Sequence, residues 1–127
     1  MTAAQGTGEH RGLYKKLIND PFDVVDEALD GFAGAHSDVV TLAAPRVIAR
    51  RVPALPKVGF VVGGGSGHEP AFAGYVGHGM ADAAACGNVF ASPPPDVILA
   101  AIHSASQGRG VLTVSYTHLT LPTTPYV

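Results

Sequence analysis

A histidine beside a carboxylate, reached through a run of glycines, is the part of this chain best equipped for chemistry. It falls in the stretch KVGFVVGGGSGHEP, residues 57–70, where an apolar run leads into Gly63, Gly64 and Gly65 and then Ser66, Gly67, His68 and Glu69. His68 is the side chain most able to accept a proton near neutral pH. Glu69 is adjacent, but neighbouring residues often point apart, so spacing alone does not make them a pair. Glycines after a strand are expected to turn the chain with positive φ and to expose backbone N–H groups that no side chain screens. At the end of a parallel strand, this is where open α/β sheets hold ligands. A second reading stays open: a turn whose histidine merely bonds a nearby carbonyl.

Register excludes three familiar loops. A phosphate-binding loop of the Gly-x-x-x-x-Gly-Lys-Ser/Thr type needs lysine after Gly67, where His68 stands. A dinucleotide fingerprint read from Gly63 or Gly65 meets His68 or Pro70 where glycine is required. The nucleophile elbow centred on Ser66 also needs glycine at 68.

The elements that must position this loop follow from periodicity. From Asp23, the apolar residues Val24, Val25, Ala28, Leu29, Phe32 and Ala33 recur at helical spacing, with Asp20 or Asp23 as cap and Gly34 helping to end the helix. Leu17, Ile18 and Phe22 read as an anchoring segment broken by Pro21. Residues 39–42 and 47–49 read as short strands or an irregular extended pair, placed at sheet edges by Pro45 and Pro53. Arg46, Arg50 and Arg51 read as a solvated charge cluster. Residues 58–62 form an unbroken apolar run, as in a strand buried on both faces. Residues 86–91 read as a strand or extended segment. A helix is expected to start within residues 93–95, with Ser92 as N-cap, and to run to about residue 104. Gly108 and Gly110 follow it, and "GVL" opens another strand. Strand, loop, helix, strand is an α/β pattern.

The 127 residues suit one small domain, and the apolar fraction of 46% against 14% charged is a globular balance. A net charge of −2 offers nothing to attract nucleic acid or an anionic membrane, so neither partner is expected. The single cysteine, Cys86, excludes an internal disulfide and fits a reducing, cytoplasmic location. Residues 1–11 lack a signal-peptide core and are expected to be disordered.

Four segments in order, KKLINDP, VGFVVGGGSGHEPAFAGYVGHGM, ACGNVFASPPPD and GRGVL, resemble the N-terminal part of the dihydroxyacetone kinase family, in its DhaK-type substrate-binding domain. The resemblance covers roughly residues 13–112. It implies an α/β fold with a mostly parallel or mixed sheet and flanking helices. It also implies dihydroxyacetone or a similar small ketose as substrate, bound at Gly65, Ser66, Gly67 and His68, with His68 acting in acid/base catalysis. The family's phosphate donor, ATP–Mg²⁺ or a phosphoprotein, belongs to a separate DhaL-type domain or subunit, so no cofactor or metal is expected on this chain. A homodimer is implied for the intact parent. Relatives include erythrulose kinases and non-catalytic triose-binding sensors. The family's covalent-substrate histidine and its "KNYTGD"-like segment do not occur in this sequence, and His78, His103 and His118 do not sit in the required motif.

After Leu112 the resemblance stops, and VSYTHLTLPT reads as a translated adapter from DNA library preparation. Residues 12–112 are therefore read as a truncated domain and residues 113–127 as a non-native tail. A sheet cut short leaves Phe60, Val61, Val62, Val89 and Ile98 without part of their intended cover. Residues 1–127 expressed alone are expected to be marginally stable or aggregated. A cooperative thermal transition of a monomer, followed by circular dichroism, would contradict this.

Overall fold

The computed structural model describes residues 16–53 and 55–115; the first eleven residues and His118 lie outside them. The element order is α1 (Val24–Ala35), β1 (Val40–Ala44), β2 (Val47–Arg50), β3 (Gly59–Ser66), a 3-10 turn (Ala73–Tyr75), β4 (Ala83–Val89), α2 (Pro95–Ala105) and β5 (Val111–Ser115). The five strands form one mixed sheet in the order β1-β2-β4-β3-β5. β1 and β2 form an antiparallel hairpin, β2 runs antiparallel to β4, and β3 lies parallel to both β4 and β5. This is the α/β class expected, in its mixed form.

The unbroken apolar reading of β3 is explained by cover on both faces. Val62, Ile48, Ala84 and Cys86 point to the side of α1, where Val25, Leu29, Val76 and Ala81 complete the packing. Val61, Val47, Ala49, Ala83 and Ala85 point to the side of α2 and meet Val97, Ala101 and Ala105. Successive strand residues thus serve opposite faces, each covered by a helix. The alanines of β4 and α2 allow a close approach between helix and sheet. No helix among the described residues is long and apolar enough to cross a membrane.

Several expectations need correction. Ala-rich β4 begins at Ala83, ahead of the predicted residue 86, because burial between two layers overrides alanine's weak strand preference. β2 is an interior strand, and only β1 of that hairpin lies at a sheet edge. Pro45 sits in the turn between them, where no ladder bond is lost. β3 starts at Gly59, leaving Val58 exposed. α2 is capped by Pro94 rather than Ser92, and Gly34 lies inside α1, which closes with the His36 N–H donating to the Phe32 carbonyl. Asp23 takes the N-cap position of α1 without a side-chain bond, while the Asp20 carboxylate accepts from the Phe22 N–H. Leu17, Ile18 and Phe22, expected to anchor the segment, are exposed.

The arginines are not a solvated cluster. Arg46 forks onto Asp26 of α1 through two bonds of 2.8 Å and also reaches Asn88. Arg51 donates to the Ser37 carbonyl at 3.0 Å. Arg50 pairs at 3.1 Å with Asp82, the one buried charged residue among those described. Asp82 also binds Lys57 and accepts from the Phe60 N–H at 2.8 Å. Its own N–H donates to the Phe60 carbonyl, and its carbonyl accepts from the Arg50 N–H. It therefore ties β2, β3 and β4 together where β3 and β4 begin.

Burial pushes the Asp82 carboxyl up, but Lys57, the Phe60 amide and Arg50 outweigh it and hold the group below the ordinary carboxylate value. A depressed folded-state value means stability that is present above the unfolded value, about 3.9, and lost as pH falls through the folded one. Asp82→Asn in the full-length protein is expected to cost about 2–3 kcal/mol at neutral pH. The gap from wild type should close in acid, as read from urea midpoints across pH.

Candidate functional site

The glycines do not act as expected. Gly63, Gly64 and Gly65 lie within β3 and have no positive φ; the turn is made at Gly67, with φ of +100°. What the three glycines provide is room. A Cβ on Gly64 would overlap the Phe72 ring, and one on Gly65 would stand 2.6 Å from the Ala91 nitrogen. The segment after β4 therefore lies directly across the end of β3. The ladder adapts there: Gly64 pairs with Cys86 but Ser66 with Val89, a bulge that places an extra residue in β4.

Hydrogen bonds lock this crossing. Ser66 Oγ donates to the Gly87 carbonyl at 2.8 Å, and the Phe90 N–H donates to the Ser66 carbonyl at 2.8 Å. The Ser66 proton is committed to that bond, so toward a ligand the hydroxyl is left as an acceptor. Glu69 curls back so that its Oε1 accepts from the Gly67 N–H at 3.1 Å. The carboxylate thus serves the loop's own backbone.

Gly65, Ser66 and Gly67 line a cavity of about 570 Å³. Its opposite wall is the inner face of α1, with Val24, Val25, Ala28, Leu29 and Phe32. Phe72 and Cys86 complete an apolar interior, and Glu69 supplies its carboxylate at the wall. His68 is exposed and outside this lining; its ring stands 5.0 Å from that of Phe90, inclined by 65°. The four candidate residues are therefore contiguous at the C-terminal end of β3, three on the cavity wall and His68 beside it. His78 and His103 are exposed and do not line the cavity.

Sequence reasoning missed the α1 wall, Phe72 and Phe90. It also missed the clamp in which Arg46 joins Asp26 of α1 to Asn88 at the end of β4. The Arg46 hydrogen bonds, ahead of the opposing effect of burial, hold the Asp26 carboxyl below its ordinary value. Burial first, and the Glu69 charge second, push the Cys86 thiol up to about 11, so at neutral pH it stays protonated and a poor nucleophile. No lysine or arginine lines the cavity, and no cluster of three metal-ligating side chains occurs among the described residues.

Residues 30–118 match the Dak1 domain, and the chain belongs to that family. It is 52% identical over 101 residues to the dihydroxyacetone-binding subunit DhaK of a PTS-dependent dihydroxyacetone kinase of Listeria innocua, covering 79% of this chain and 31% of that protein. Among solved structures, it is similar to the dihydroxyacetone kinase of C. freundii crystallised with AMP-PNP and Mg²⁺ (TM-score 0.70, 36% identity, 78% of this chain and 19% of that one). It is also similar to the dihydroxyacetone kinase operon co-activator DhaQ (TM-score 0.65, 36% identity, 69% of this chain and 27% of that one). The chain spans about a third or less of the length of the curated relatives it matches.

The crossing at Gly65 makes a direct prediction. Gly65→Ala must push the Phe90–Ala91 backbone away, and is expected to cost about 1–3 kcal/mol, with the loss read from the denaturant midpoint. An unchanged midpoint would show that the crossing is loose.

Proposed function

We propose that this chain is part of the substrate-binding domain of a dihydroxyacetone kinase and holds the small ketose at residues 65–68. The observation that carries the reading is the glycine-made opening at the end of β3, with Ser66 and the Gly67 amide on the wall of a cavity and His68 beside it. A ligand oxygen replacing the Glu69 carboxylate on the Gly67 N–H would be gripped by main chain, as open α/β sheets grip ligands beyond their strand ends.

His68 takes the hydroxyl proton. Phosphorylating a primary alcohol forms a P–O bond from the alcohol oxygen while its O–H bond breaks, and an imidazole within hydrogen-bond reach accepts that proton. Positioning and electrostatics supply most of the remaining acceleration in phosphoryl transfer. The phosphate comes from ATP–Mg²⁺ or a phosphoprotein held on a separate DhaL-type domain or subunit. In this proposal the intact protein is a cytoplasmic homodimer acting in glycerol metabolism.

The similarity to the operon co-activator supports a second reading, a triose-binding module that signals without catalysing. The cavity volume admits a four-carbon ketose as well, so an erythrulose kinase keeps the same site chemistry. One variant separates catalysis from binding. His68→Asn in the full-length protein is expected to reduce turnover by about 100-fold or more while weakening ketone binding much less. Turnover unchanged by His68→Asn would remove His68 from the mechanism, and a wild-type protein that binds dihydroxyacetone without turnover would favour the sensor.

A further inference from the structure

Phe90 combines two features that folding alone does not favour. Its φ is +53°, in the left-handed region where a bulky aromatic is an outlier. The residue is 61% exposed, so burial within this chain gives its apolar ring little. The other non-glycine residue with positive φ among those described, Arg46, gains its forked bond to Asp26 and its bond to Asn88 from that geometry. Phe90 gains no comparable side-chain bond.

Its backbone is held in place by the loop it faces. The Phe90 N–H donates to the Ser66 carbonyl at 2.8 Å, and the next N–H, of Ala91, donates to the Asn88 carbonyl at 3.0 Å. The product of this geometry is a ring laid on the glycine loop. It meets the His68 imidazole edge-on at 5.0 Å, and its carbons stand 2.9 Å from where a Cβ on Gly67 would be. Strained backbone kept by its surroundings directs attention to what its side chain does.

We propose that Phe90 is a positioning residue for His68: its ring, held over the loop by the left-handed backbone, limits the orientations open to the imidazole. This rests on His68 as the proton acceptor. Phe90 itself carries no group that takes a proton, and it acts through His68. Edge-to-face packing suits the role, because it restrains an imidazole without occupying either ring nitrogen.

Phe90→Gly separates ring from backbone, since glycine adopts φ of +53° without strain and the fold is retained. In the full-length protein, assayed with dihydroxyacetone and its phosphate donor, Phe90→Gly is expected to lower kcat roughly 10–100-fold, with KM changed less than about threefold. Its thermal midpoint should not fall. Phe90→Tyr, which keeps the ring, should restore turnover to within about twofold of wild type. The His68 Hδ2 and Hε1 resonances should move in Phe90→Gly as the neighbouring ring is removed. Wild-type kcat in Phe90→Gly, alongside an inactive His68→Asn, overturns the proposal. If His68→Asn stays active, the catalytic reading fails and the resonances decide: unmoved His68 signals overturn the positioning role, and displaced signals uphold the contact.

Discussion

The site depends on two stretches of backbone passing closer than side chains allow. The end of β3 and the segment leaving β4 cross at Gly65 and Gly87, and a Cβ on either would collide with the main chain of the segment after β4. Because both crossing points lack side chains, Ser66 can bond to Gly87 and Phe90 can bond to Ser66. The loop's shape is therefore set by contacts with a segment some 20 residues away in sequence rather than by its own turn preference. The α1 wall is held to the same place by Arg46, which spans from Asp26 to Asn88.

The two ends of the parallel pair have opposite characters. Where β3 and β4 begin, Asp82 uses side chain and main chain together to join three strands, and its charge is matched by Arg50 and Lys57. Where they end, crossing bonds take over: Ser66 Oγ donates to the Gly87 carbonyl, the Phe90 N–H donates to the Ser66 carbonyl, and Glu69 accepts from the Gly67 N–H. The end opposite this anchor is the strand-end position at which open α/β sheets concentrate function.

Much of the scaffold was legible because it depends on short-range pattern. The 3.6-residue spacing of Val25 and Leu29 marks the buried side of α1, and the prolines before Val97 mark the start of α2. The motif from Gly63 to Glu69 was legible as a candidate site, although the task of its glycines was not. Room and turning look alike in a sequence, and the difference lies in Phe72 and Ala91, which approach from elsewhere. The start of β4 was missed because residues 83–85 are alanines, whose strand character comes from burial between helices rather than from propensity. Arg50 looked solvated because its acid, Asp82, is 32 residues distant.

The carboxylate of Glu69 on the Gly67 amide has a thermodynamic consequence for whatever enters the cavity. At the Gly67 N–H an incoming neutral oxygen must evict an anionic acceptor, and the main-chain bond it gains is offset by the one it removes. Net attraction must then come from the rest of the newcomer. Recognition at this opening would be a competition between acceptors, in which a molecule offering one oxygen loses and one that engages several partners together wins.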